Sequence, residues 1–214
     1  MSIGHEELGY WYLRLNGFLS IPNFVVHPDR AGNQLTDVDV IGVRFPFRSE
    51  LLENPMIDDD PFTREKQRPF VVIAEMKSGL CQLNRPIRDG NRDVLHRILS
   101  SVGMLEHHEI EGAIAGLQET GCYYSDRYDV RFLALGEQVN EDLRESHPDA
   151  LQITWYQVLT FIYQRFQSYR GLKWDHPQWD RAGRFLWEAA AQLHDVQEFR
   201  AFVNDVCFIE DRSR

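Results

Sequence analysis

Apolar residues recur along this chain with two periods, and the switching between them outlines an α/β protein. Leu8, Trp11, Tyr12 and Leu15 fall on one side of a helix predicted over residues 4–16, with Gly17 as its stop. Residues 18–27 predict a first strand, strongest over Asn23-Phe24-Val25-Val26-His27. Residues 36–43 alternate and then turn continuously apolar, as a strand entering the centre of a sheet does. Phe70-Val71-Val72-Ile73-Ala74 is apolar throughout and predicts a second interior strand, and residues 128–136 predict another. A helix over residues 92–106 presents Val94, Leu95, Ile98, Leu99 and Val102 on one side, while residues 110–117 fit a short helix or a strand. The last third reads as helical: residues 154–169, a break over 174–180, then 181–193 and 198–206.

Two stretches lack either period. Residues 46–69 carry prolines at 46, 55, 61 and 69 and the run Asp58-Asp59-Asp60, which predicts a looped-out surface insertion with solvated acids. Residues 79–86 predict a loop leaving the Phe70 strand. The expected order is a helix, a three-strand meander, a helix and a further strand parallel to the Phe70 strand. Residues 1–150 would form this core, and residues 151–214 a helical extension packed on it.

Composition narrows the setting. With 214 residues and 43% hydrophobic positions the chain can bury a substantial core. Its apolar runs are short of membrane-spanning length, so a soluble, cytoplasmic protein with no membrane partner is expected. Cys81, Cys122 and Cys207 are scattered, as reduced thiols are. The formal net charge of −10 argues against a simple nucleic-acid binder, because neutralising phosphates takes Lys and Arg. Two locally basic stretches soften that objection. One holds Lys77, Arg85, Arg88, Arg92 and Arg97. The other holds Arg165, Arg170, Lys173, Arg181 and Arg184; within it Arg165, Tyr169, Arg170 and Lys173, with Trp174 and Trp179 nearby, are a candidate DNA-contacting or dimer surface, with a helical cap on the core as the plainer role of the tryptophans.

The candidate chemistry sits at strand ends. Glu75 and Lys77 are two residues apart at the end of the Phe70 strand, so they share a face. Asp37 and Asp39 share a face of the preceding strand, with Asp39 nearer the apolar run. If the two strands are neighbours, Asp39 and Glu75 converge. Two hard oxygen ligands with room for water suit Mg²⁺ better than a Zn²⁺ or Ca²⁺ cage. The plain alternative is a strand-end Asp and an exposed ion pair of little worth. The histidines add no chemistry: His27 ends a strand, His107-His108 lacks the spacing of a helical metal pair, and Asp175-His176 gain no coupling from adjacency.

An acid-bearing first helix, Asp39-Val40-Ile41-Gly42-Val43 and Ile73-Ala74-Glu75-Met76-Lys77-Ser78, in that order, resemble the PD-(D/E)XK nuclease superfamily. The nearest-looking members are Holliday-junction resolvases and restriction-endonuclease-like proteins. The resemblance covers roughly residues 1–135, with Val38 where the name-giving proline would stand and a longer stretch than usual between Asp39 and Glu75. It implies a restriction-endonuclease-like mixed sheet flanked by helices. It implies Mg²⁺, with Mn²⁺ as a substitute, held by Asp39, Glu75 and the Met76 carbonyl. Lys77 would position or activate the attacking water and stabilise phosphorane charge. Glu6, in preference to Glu7, would support a second ion or orient the lysine. The implied activity is a DNA endonuclease, expected as a homodimer because a duplex has two strands to cut, with a protein partner for targeting as an option. Two other functions compete: a non-catalytic interaction or regulatory subunit on the same fold, and a metal hydrolase of another phosphate ester.

Overall fold

The computed structural model describes residues 3–63, 68–89, 91–173 and 179–208. Helix α1 (His5–Leu15) and strands β1 (Leu19–Val26) and β2 (Thr36–Arg44) form where the periodicity predicts them. A one-turn helix, α2 (Asp60–Thr63), precedes β3 (Phe70–Met76), every residue of which is buried. Then come α3 (Arg85–Arg88), α4 (Arg92–Val102) and α5 (Ile110–Thr120), so residues 110–117 are helical. Asn91 caps the start of α4 by accepting from the Val94 N–H, and left-handed Gly103 and Gly121 stop α4 and α5. The short strand β4 (Cys122–Tyr124) leads to β5 (Asp129–Gly136), followed by α6 (Glu141–Ser146) and β6 (Leu151–Thr154). Helices α7 (Trp155–Tyr169), α8 (Arg181–Gln192) and α9 (Val196–Phe208) complete the described chain.

The six strands make one mixed sheet. β1, β2 and β3 form an antiparallel meander, and β5 lies parallel to β3 on its other side. β4 and β6 share the far edge of β5, antiparallel along its first half and parallel along its second. Period-two alternation sorts β3 between two cores. Phe70, Val72, Ala74 and Met76 face the cluster built with α1 and the C-terminal helices, and Val71 and Ile73 face the one built with α4 and α5. The result is three layers, helices on both faces of a sheet. Since β6 belongs to the sheet and α7 to the main core, the helices after residue 150 are continuous with the fold they cover. Among the described residues no helix is long and apolar enough to cross a membrane.

The stretch between β2 and β3 is largely an exposed irregular loop up to α2, as its prolines predict, but it is anchored at two points and its acids are not all solvated. Phe62 of α2 is fully buried among Tyr12, Phe18 and Phe70, and Asp58, only 8% exposed, takes ion pairs from Arg44, Arg48 and Arg165. Asp59 accepts from the Tyr12 hydroxyl and from Gln157. In the second basic stretch Arg165 and Tyr169 are buried, and Arg165, Tyr169 and Lys173 turn inward onto Glu50 or Asp58, while Arg170, Arg181 and Arg184 are exposed. Trp179 packs against Trp11, Phe166 and Trp187. Trp174, Asp175 and His176 lie outside the described residues.

Candidate active site

The β2–β3 ladder ends at the Val40–Ala74 pair, and its next step places Asp39 opposite Glu75. There the ladder gives way to a side chain: the Met76 N–H donates to Asp39 Oδ2 at 2.6 Å. Strand β2 changes its facing at this residue, for Val38 packs in one core and Val40 in the other, although alternation would put them together. Asn23 of β1, between the partners of Val38 and Val40, has a φ of 53°. Asn tolerates this left-handed conformation better than other side chains, and a kink beside Asp39 follows. The Lys77 ammonium completes the group, 2.9 Å from Glu75 Oε2 and 3.5 Å from Asp39 Oδ2.

Lys77 is clamped through its backbone. Its N–H donates to the Leu135 carbonyl at 2.9 Å, and its own carbonyl accepts from the Trp155 indole at 2.9 Å. The loop that follows lies flat against the end of β5, where a Cβ on Gly136 would meet backbone atoms of residues 79–81 at under 3 Å. Asn84 donates to the Asp37 carbonyl at 3.2 Å and ties the same loop to β2.

Helix α1 brings up the fourth group. Gly9 lies directly over Met76, and a Cβ there would sit 2.4 Å from the methionine methyl carbon, so the helix reaches this close only because residue 9 is glycine. Glu6, one turn earlier, is exposed and within electrostatic reach of Asp39, Asp37 and Lys77. Glu7 points elsewhere: it accepts from the Gly4 N–H at 3.0 Å as a helix cap and lies 3.8 Å from Arg181. Of the two neighbouring acids, Glu6 is the one beside the strand ends.

More carboxylates than cations meet here, and the titration of the group shows it. Burial, then the Asp39 charge, push the Glu75 carboxyl up to about 8, and Lys77 offsets only part of this. Burial works against the Lys77 ammonium, yet Glu75 and Asp39 raise its pKa overall. Partial burial, then Asp39 and Asp37, raise that of Glu6. Glu75 is fully buried, and its Oε1 has no hydrogen-bond partner among the described residues. A buried carboxylate oxygen left without a donor is costly unless something cationic takes it. With Asp39 it offers hard oxygens to a divalent ion whose other ligands would be water and substrate. Among the described residues no three His, Cys, Asp or Glu side chains converge as a ready-made cage.

The sequence pattern singles out Asp39, Glu75, Lys77 and Glu6, and the fold brings all four to one end of the sheet. Met76 contributes a buried side chain and the N–H that holds Asp39. Trp155, Gly9 and Asn23 shape the site without any local signal; the only hints are an Asn inside a strand and a Gly inside an apolar helix. The arginines proposed for phosphate are engaged: Arg92 pairs with Glu111, and Arg97 with Asp29 and Asp93. His27 lies beside the Pro28 carbonyl and takes no part. No family model, curated protein or solved structure matches the chain.

Proposed function

We propose that this protein is a Mg²⁺-dependent nuclease that hydrolyses the DNA backbone by in-line attack of an activated water. The observation that carries the reading is the convergence of Asp39, Glu75 and Lys77 around a buried carboxylate oxygen that lacks a donor. The order of helix, antiparallel meander, helices and parallel strand supports a restriction-endonuclease-like arrangement for residues 1–135.

Asp39 and Glu75, with the Met76 carbonyl, would hold the ion, and Mn²⁺ would substitute for it. Bound there, the ion supplies Lewis acidity at the phosphoryl oxygen and a cation against the charge that develops in attack. The chain's own groups do the rest. Lys77, fixed at both ends of its peptide unit, presents an ammonium whose direction is set by Glu75; it orients the attacking water and stabilises phosphorane charge. Glu6, with its raised pKa, steadies Lys77 or shares a second ion. Asp39 Oδ2 accepts from the Met76 N–H and holds the end of β3 in register, and its carboxylate would be one of the ion's ligands.

Asp39→Ala, Glu75→Ala and Lys77→Ala are each expected to lower cleavage of plasmid DNA in Mg²⁺ at least a hundredfold with the circular-dichroism spectrum unchanged. Calorimetric titration of Mg²⁺ or Mn²⁺ should give heat that Glu75→Ala removes. Full cleavage by all three variants would end the proposal.

One observation favours a second reading. The insertion carries Phe47, Leu52 and Ile57 largely exposed, as a protein-binding surface does. A non-catalytic subunit on this fold would show no metal-dependent cleavage and no heat that Glu75→Ala abolishes.

A further inference from the structure

An acidic chain that handles a polyanion must find cations somewhere, and here most are already spent. Arg85, Arg88, Arg92 and Arg97, which follow β3, are all paired with acids, and Arg165 and Lys173 are committed to Asp58 and Glu50. Arg200 of α9 differs. Among the described residues no carboxylate pairs with it, and its buried Nε has no hydrogen-bond partner. Its guanidinium lies 3.6 Å from the centroid of the Tyr156 ring.

Tyr156 is 61% exposed, unusual for so large a ring in the first turn of a core helix. It directly follows Trp155, whose indole holds the Lys77 carbonyl. That bond places the tyrosine on the order of 10 Å from the end of β3, a few nucleotide rises of roughly 3.4 Å each. Helix α9 also carries Cys207, whose thiol meets the Ile3 backbone just ahead of α1.

We propose that Tyr156 and Arg200 form a platform for an unpaired nucleotide of a single-stranded nucleic acid, next to the scissile position. The guanidinium lies over one face of the Tyr156 ring; the base stacks on the other face, and the guanidinium meets the adjoining phosphate. In a duplex both faces of a base are already stacked, so the platform selects single strands, flaps or frayed ends. This inference rests on the nuclease reading of the Asp39–Glu75–Lys77 group for its placement beside a cleavage point, but binding can be measured without cleavage.

The test is fluorescence anisotropy of labelled single-stranded DNA, single-stranded RNA and duplex DNA of one sequence, with Ca²⁺ in place of Mg²⁺. Tyr156→Ala is expected to weaken single-strand binding about five- to thirtyfold, and Tyr156→Phe to keep it. Arg200→Gln should weaken it and reduce the slope of log affinity against log salt by about 0.7, one phosphate's worth. Duplex binding should change less than twofold in each variant, and thermal melts should match the parent. The platform is refuted if the parent binds no single strand, if both variants bind single strands within twofold of it, or if they lose duplex affinity equally. A parent that cuts nothing but binds single strands through Tyr156 refutes the nuclease reading and leaves the platform standing. Cleavage with Tyr156-independent binding does the reverse.

Discussion

Glu75 destabilises the metal-free fold that carries it. Its carboxyl is pushed up to about 8 by burial and by Asp39. An unfolded carboxyl releases its proton near 4.5, so between roughly pH 4.5 and 8 the unfolded chain ionises first and is favoured by it. This contribution to stability is therefore lost as pH rises through that window. Glutamine keeps the shape and a hydrogen bond to Lys77 without the charge. Glu75→Gln should raise the melting temperature of the metal-free protein by roughly 5 °C at about pH 9 and by almost nothing near pH 4. A calorimetric scan that gave the same shift at both pH values, or a loss, would show that Lys77 fully compensates the carboxylate. Lys77 acts at the other end of the scale, since its raised pKa contributes stability below about 10.5 that disappears in stronger alkali. A group that costs stability where it stands is typical of a working site. Asp39, Glu75 and Lys77 are legible in the sequence because the two-residue period of a strand fixes their common face locally. Trp155 is not, because its bond to Lys77 joins residues 78 positions apart.

At the scale of elements, two contacts decide where the site sits. The first is α1 on β3. In Gly9→Ala the new methyl would meet the Met76 side chain at 2.4–2.7 Å, and either the methionine repacks or the helix lifts, at about 1–3 kcal/mol. Lifting the helix also moves Glu6, so cleavage should fall more than the stability loss accounts for. Gly112→Ala in α5, where the nearest atom would be 3.8 Å away, serves as the control: it should gain about 0.5–1 kcal/mol and leave activity unchanged. The second contact is the insertion on α7. Asp58→Ala would leave the buried Arg44 and Arg165 without their shared carboxylate, and urea denaturation should report a loss of about 3–5 kcal/mol. The prolines and the three consecutive acids of the insertion read as solvent-facing because nothing nearby in the chain says otherwise. Asp58 turns inward onto three arginines, Arg44 at the end of β2, Arg48 within the insertion and Arg165 107 positions later, and their convergence is a property of the assembled fold. β1, β2, β3, β5 and the helices α1, α4, α7, α8 and α9, whose periods are local, needed no such partner to be recognised; α5 read equally as helix or strand, and β4, α6 and β6 are too short to show a period.

For the whole molecule, charge is the quantity that most constrains the function. The net −10 is plain from composition, but its distribution is not, because the arginines that follow β3 and look available along the chain are paired with acids in space. Around the candidate centre, Asp37 and Asp39 act electrostatically on both Glu6 and Glu75, with Lys77 as the counter-charge acting on the same two. A phosphate backbone brought up to that group is repelled until a divalent cation reverses the local sign. Oligonucleotide binding should therefore depend on metal before any chemistry occurs: at least tenfold weaker with chelator than with Ca²⁺, and less dependent on metal in Glu75→Gln, where one negative charge is already gone. Its salt dependence should be shallow. If Lys77 and Arg200 are the main phosphate contacts, log affinity should fall against log salt with a slope of about −1.5, well short of the steep dependence of proteins that grip six or more phosphates. A steep slope together with equal binding in chelator would put the polyanion on some other surface, and the carboxylates at the end of β3 would then serve a reaction with no nucleic acid in it.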